Sequence, residues 1–214
     1  MLTDALLWIG NHRQEFFRAL GEHLTMSAVS LAIGLAIGLP LAVAVMKRER
    51  LALAVINTVN SFRTIPSLAI LAIMLPLFGI GLWSSVVALT ILAIPPILIN
   101  AYTGLRNVDP DAVDAATGLG MRPRQMLWRI QLPLAAPAIF AGTRTAAIQV
   151  LAGATLAPFI GGGGLGDFIT AGIGLMDMSR LLVGAVPIAL LALGAELGFG
   201  MVERALFGAR AVKA

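Results

Sequence analysis

Cysteine is absent from this 214-residue chain, and with it every disulfide framework and every thiolate metal site. Charge is scarce: Asp, Glu, Lys and Arg make up 12% of residues, about half the share of an average soluble domain. One tyrosine and three tryptophans leave little material for an aromatic cage around a cationic ligand. The two histidines, His12 and His23, stand eleven residues apart without carboxylates at metal-ligand spacing. No H-E-x-x-H, G-x-S-x-G or P-loop occurs, so the chain has no signature for catalysis or ATP hydrolysis, and no cofactor or metal is expected in it. What is abundant is apolar: 58% hydrophobic residues, a mean hydropathy of +0.91 and 23 glycines. That composition describes an all-α integral membrane protein whose helices pack closely at small residues.

A bilayer-crossing helix takes about 20 mainly apolar residues. Five segments qualify: 24–46, stopped by Lys47-Arg48-Glu49-Arg50; 51–78; 83–104, with Pro95-Pro96 deep inside; 133–157; and 181–203. At about 1.5 Å per residue, 51–78 would reach about 42 Å, too far for one straight span and too little for two. It contains Asn57, Asn60, Arg63 and Pro66, which predicts first turns at the interface and a bend at Pro66. Arg63 is expected to snorkel to the cytoplasmic interface. No segment shows the inside–outside dyad of a barrel strand.

Charge placement sets the topology. Putting the 47–50 turn, the 105–132 loop and the C-terminal end on one side gathers ten basic residues there, and leaves Arg13, Arg18 and Arg180 opposite. The ten-residue side is therefore cytoplasmic, with the N-terminus outside and the C-terminus inside. This distribution argues against nucleic acid as the partner of the +4 net charge. Residues 1–23 have no basic start and no small-residue cleavage site. They read as an external, partly amphipathic lead-in to a transmembrane domain over 24–206, followed by a cytoplasmic tail, 207–214.

The 105–132 loop is the longest polar stretch. Asp109-Pro110-Asp111 is a helix start, predicting a short helix over 111–119 that ends at Gly120; Arg122-Pro123-Arg124 opens a second over 124–130, and Pro133 begins the next span. Two short amphipathic helices hinged at glycine make either a docking element or a linker held to anionic lipid head groups by Arg122, Arg124 and Arg129.

The residues of this loop carry a resemblance. Asp114-Ala115-Ala116, three residues, Gly120, nine residues, then Ile130-Gln131-Leu132-Pro133 resembles the cytoplasmic loop signature of ATP-binding-cassette importer permeases, Glu-Ala-Ala, three residues, Gly, nine residues, Ile-x-Leu-Pro, with Asp114 as the departure. Arg63-Thr64-Ile65-Pro66-Ser67-Leu68-Ala69, Pro76-Leu77-Phe78-Gly79-Ile80-Gly81, Tyr102-Thr103-Gly104 and Val108-Asp109-Pro110 look like the branch that imports glycine betaine, choline and carnitine. The stretch Ile160 to Ile169, with Gly161, Gly163, Gly164, Gly166 and Asp167, is similar to that branch and also to methionine-type and phosphonate-type importers. The resemblance implies a type I importer permease fold, an ATPase partner that binds ATP and Mg and docks on the 105–132 loop, a second permease subunit, and an extracytoplasmic substrate-binding protein. It implies a small Ala115 and Ala116 at the ATPase contact and leaves any salt bridge at the shorter Asp114 open.

Gly161, Gly163 and Gly166 formally satisfy G-x-G-x-x-G, but a membrane span precedes them where a dinucleotide site needs a strand. An external gate or receptor contact and a merely permissive loop both fit. Arg144 and Glu196 fall at similar depth in the fourth and fifth spans, which predicts an intramembrane ion pair, read first as a structural clamp. Gly34 with Gly38 and Gly194 with Gly198 have the spacing for close helix contact. The functional expectation is a permease subunit of an ATP-driven importer for quaternary-amine osmoprotectants. A methionine-type importer and, from another class, an ion-gradient-driven carrier are the alternatives; no internal repeat supports the carrier.

Overall fold

A computed structural model describes residues 1–211, with side chains through residue 208. Lys213 and the last residues of the expected tail lie outside the described residues. Every regular element described is helical.

Helix α1 (Leu2–Asn11) turns at His12 into α2 (Arg13–Val45). The helix therefore starts well before residue 24, and residues 13–23 are continuous with the apolar run. A single buried stripe explains the continuity: Phe16, Ala19, His23, Met26, Ser30, Gly34 and Gly38 recur every three or four positions. Next come α3 (Glu49–Ser61) and α4 (Ser67–Phe78), bent by 99° across the Phe62–Pro66 break. Pro66 forces Ile65 into an extended conformation (φ −77°, ψ 128°) and has no N–H to continue the helix.

Helix α5 (Leu82–Arg106) is the centre of the bundle, with Val86, Leu89, Ala93, Ile97, Leu98 and Ala101 all 0% exposed. Pro95 and Pro96 are inside it, and Asn100 Nδ2 donates to the Pro96 carbonyl at 2.8 Å within the same helix. Against its C-terminal half pack Val55, Ile56 and Val59 of α3, and against its N-terminal half Ile70, Leu71 and Met74 of α4. The remaining helices are α6 (Pro110–Gly118), α7 (Pro123–Met126), α8 (Leu132–Gly153), α9 (Gly166–Leu175) and α10 (Met178–Ala211). Four helices are long and apolar enough to cross a membrane, and the broken α3–α4 pair would make a fifth span.

Backbones approach where the sequence is small. A Cβ on Gly34 would stand 2.8 Å from that of Ala93, and one on Gly38 2.9 Å from Ile97 Cγ2, so α2 can reach α5 only as glycine. Gly194 and Gly198 differ: among the described residues nothing lies within 4 Å of a Cβ at either position, so that second spacing joins no described helices.

Candidate functional site

The loop between α5 and α8 is built from local rules. The Asp109 carboxylate accepts the Asp111 N–H at 3.0 Å, with Pro110 in the first turn, and this fixes the start of α6. Its end is a Schellman turn: Met121 N–H donates to the Ala116 carbonyl at 3.1 Å and Gly120 N–H to Thr117 at 2.9 Å. Gly120 takes φ +75° there, a conformation most residues avoid. Ala116 is buried, whereas Asp114, Ala115 and Gly120 are exposed. Leu119 is 83% exposed at the tip, an apolar contact residue that the spacing signature does not single out.

The second half of the loop differs from a separate 124–130 helix. After α7 the chain makes a π-helical turn, Leu127–Gln131, and runs directly into α8. Pro133 is the second residue of α8, which follows the π turn without a break. The wider turn tolerates the amide that Pro133 lacks. Ile130 and Leu132 are partly buried along this junction, and Pro133 is exposed.

At the other end of α8 a 3₁₀ turn, Ala154–Ile160, leads into the glycine loop. Gly161, Gly163 and Gly164 have φ of +73°, +71° and +92°. Two bonds tie the loop to other helices. Gly81 N–H, at the head of α5, donates to the Ile160 carbonyl at 3.0 Å, and Gly164 N–H donates to Glu22 Oε2 of α2 at 3.1 Å. Beside Glu22 the fully buried His23 bonds through Nε2 to the Leu151 carbonyl at 3.2 Å. Gly166 and Asp167 open α9. Partial burial raises the Asp167 pKa, the Glu22 carboxylate raises it further, and Arg18 partly offsets both. Glu22 and His23 escape sequence reasoning because they precede the apolar run; the 16–19–23–26 spacing is the signal that includes His23, and Glu22 stands next to it. Trp8 of α1 packs on Phe168 of α9 and under the Arg180 guanidinium, which lies 5.8 Å from its ring.

Within the bundle, Arg144 of α8 meets α10. Its Nε donates to Glu196 Oε2 at 3.0 Å, a second nitrogen reaches the other Glu196 oxygen, and a third donor reaches Glu203 Oε2 at 3.1 Å. Glu203 makes this a triad and not a pair, with one negative charge in excess.

Arg63 lies in the turn between α3 and α4. The α3–α4 break places it on a cleft of about 420 Å³ with Ser67, Leu92, Gln149 and Leu156. Among the described residues it makes no salt bridge. Leu92 lies ten residues from the start of α5 and fourteen from its end, about 15 and 21 Å along the axis, while Gln149, Ala152, Gly153 and Leu156 belong to the last turns of α8 and its 3₁₀ extension.

Residues 34–208 match the family model described as the binding-protein-dependent transport system inner membrane component. The chain is 42% identical over 185 residues to the choline transport system permease protein OpuBB of Bacillus subtilis, covering 86% of this chain and 85% of that one. It is 40% identical over 203 residues to the glycine betaine/carnitine/choline transport system permease protein OpuCB of the same organism, covering 95% and 94%. The osmoprotectant import permease protein OsmW of Salmonella typhimurium is 36% identical, with 80% and 82% covered. In fold, the chain is similar to the MetNI methionine ABC transporter in an inward-facing conformation, with a TM-score of 0.83, 24% identity, and 92% of this chain and 98% of that one covered. Spanning helices, a capped cytoplasmic loop and a match over most of its length lead to one conclusion: the chain belongs to the family of binding-protein-dependent transport system inner membrane components, the permease subunits of ATP-binding-cassette transporters.

Proposed function

We propose that this chain is the permease through which an ATP-driven importer passes quaternary-amine osmoprotectants, glycine betaine, choline and carnitine, into the cell. The observation that carries the reading is identity of about 40% along nearly the whole chain to permeases named for those compounds. The chain crosses the membrane five times, with α3 and α4 as one broken span, the N-terminus outside and the basic C-terminal end in the cytoplasm. A second permease subunit, identical or related, closes the path, and lipid covers the remaining apolar surface.

The mechanism follows from how the elements are joined. A cytoplasmic ATPase, which binds the ATP and Mg, grips α6 through exposed Asp114, Ala115 and Leu119. Capped at both ends, α6 moves as a rigid peg. The π turn carries that motion into α8 without a hinge, and α8 ends at the glycine loop on the opposite face. Loop, α2 and α5 are hydrogen-bonded there, so a shift of α8 reaches the outer gate, where the binding protein delivers substrate. Arg144 with Glu196 and Glu203 keeps α10 moving with α8.

Uptake of labelled glycine betaine, carnitine and choline by cells lacking other uptake systems tests the reading, with the chain supplied beside its ATPase and binding protein. Leu119→Asp is the paired variant, since Leu119 stands in solvent and its loss leaves packing intact. Uptake that disappears in the variant while the subunit stays in the membrane supports the coupling. Uptake that survives deletion of the ATPase refutes it.

A further inference from the structure

Two arginines lie within the spans, and they differ. Arg144 is neutralised by Glu196 and Glu203, whereas Arg63 makes no salt bridge among the described residues. A guanidinium within a span and without a counter-ion does not face hydrocarbon; such residues face the bundle interior or a water-filled cavity and mark a solute pathway. Arg63 has such a cavity. The cleft of about 420 Å³ lies within the range of about 300–1,000 Å³ that small-molecule sites occupy. Its polar lining is Arg63, Ser67 and Gln149, and its apolar walls are Leu92, Ala152 and Leu156. It comes from four chain segments: the break before α4, α4 itself, the middle of α5 and the outer end of α8 with its 3₁₀ extension. A change in the α8 position therefore changes its shape.

From this chemistry we infer that the cleft is a transient binding site for the carboxylate end of a zwitterionic substrate, held by the Arg63 guanidinium with Gln149 and Ser67 as further hydrogen-bond donors. The fork of a guanidinium matches a carboxylate in two parallel bonds. No aromatic ring lines the cleft, so the site has no means to grip a quaternary ammonium by cation–π contact. The trimethylammonium end meets only apolar wall. The site thus discriminates within the proposed substrate class, on which this inference rests: carnitine and glycine betaine carry the carboxylate, choline does not.

The test uses the complete importer in proteoliposomes: this subunit, its permease partner, its ATPase and the loaded binding protein. Initial uptake rates of labelled carnitine, glycine betaine and choline are compared for the unmodified chain, Arg63→Gln and Arg63→Lys. Expected is a tenfold or larger loss for carnitine and glycine betaine relative to choline in Arg63→Gln, partly restored in Arg63→Lys. Equal loss for all three compounds, or an unchanged ratio, overturns the carboxylate site while leaving the importer reading intact. Choline uptake alone by the unmodified importer does the same, and uptake of none of the three overturns both. Because the chain has no cysteine, a single Ser67→Cys gives a second readout. Glycine betaine slows its alkylation by a water-soluble thiol reagent at least threefold, and no longer does so once Arg63→Gln is added. Labelling indifferent to glycine betaine in the Arg63 background overturns the site.

Discussion

Removing Arg144 should damage the protein more than removing either of its partners. Its guanidinium makes three charged hydrogen bonds to two carboxylates, and the three side chains are 30%, 39% and 34% exposed. Arg144→Ala deletes all three bonds and leaves two acids facing each other without a counter-ion. Breaking a fully buried ion pair costs about 3–5 kcal/mol. Partial exposure here argues for the lower end, about 3 kcal/mol, shared between lost bonds and carboxylate repulsion. Glu203→Gln keeps the two-pronged Arg144–Glu196 contact and restores charge balance, so about 1 kcal/mol or less is expected, in line with polar contacts between membrane helices. For a chain of this length 1 kcal/mol moves the melting midpoint by about 2–4 °C, which predicts a drop of about 6–12 °C for Arg144→Ala and of about 4 °C at most for Glu203→Gln. The double variant Arg144→Ala/Glu196→Ala removes one of the two stranded acids and should melt above Arg144→Ala alone. The assay is thermal unfolding of the complex in lipid nanodiscs. If Arg144→Ala is no worse than Glu203→Gln, or the double variant shows the plain sum of its parts, α8 and α10 are not joined by this triad.

Three further outcomes are expected. Gly38→Val should abolish accumulation of the subunit in the membrane, because even a Cβ there meets Ile97 at 2.9 Å, while Gly194→Val, in open space, should accumulate normally; immunoblots of membrane fractions compare them. Gly163→Ala should cost about 1–2 kcal/mol through its φ of +71°, and its new methyl meets Glu22 Oε2 at 2.6 Å; hydrogen exchange of 161–166 should rise, with no change in the 110–118 helix. Asp167 binds its proton more tightly in the folded protein than in the unfolded chain. Its contribution to stability is therefore complete below the ordinary Asp value of about 3.9 and is lost as pH rises through the higher folded value. Asp167→Asn should flatten the pH dependence of exchange protection in the glycine loop between those two values, and an unchanged profile in the variant removes Asp167 as its source.

How much of this was legible beforehand depended on whether a residue's role is set by neighbours in sequence or in space. The loop is local: Asp109, Pro110, Gly120 and the spacing from Asp114 to Pro133 specify caps and turns from the chain itself, and the match to importer permeases followed from them. Arg144 and Glu196 were accessible to depth arithmetic because each lies in a straight helix with a countable end. Glu203 was missed because it marked that end, and an end-marker was not also read as a partner. Residues 13–23 read as a lead-in because the apolar run begins at residue 24, whereas the buried stripe of α2 begins at Phe16, and helix periodicity crosses the polarity boundary without pause.

Arg63 marks where sequence reasoning stops and why. Its position near a span end and its charge are those of a snorkelling arginine, and only the 99° turn across Phe62–Pro66 separates that reading from a cavity-lining one. Pro66 announces a break, but a proline fixes neither the angle nor the direction in which the next helix leaves. Those come from contacts distant in sequence, with Ile70, Leu71 and Met74 of α4 packing beside Ala88 and Ile160. Such contacts bring the break in α3–α4 to the outer half of α8. Arg63 and Gln149, far apart in the chain, then line one cleft. Spanning segments can be counted from hydropathy because the bilayer imposes their length. The path between them is written in helix breaks and in the packing that aims them, so a charged residue beside a break has to be judged by what it meets in space.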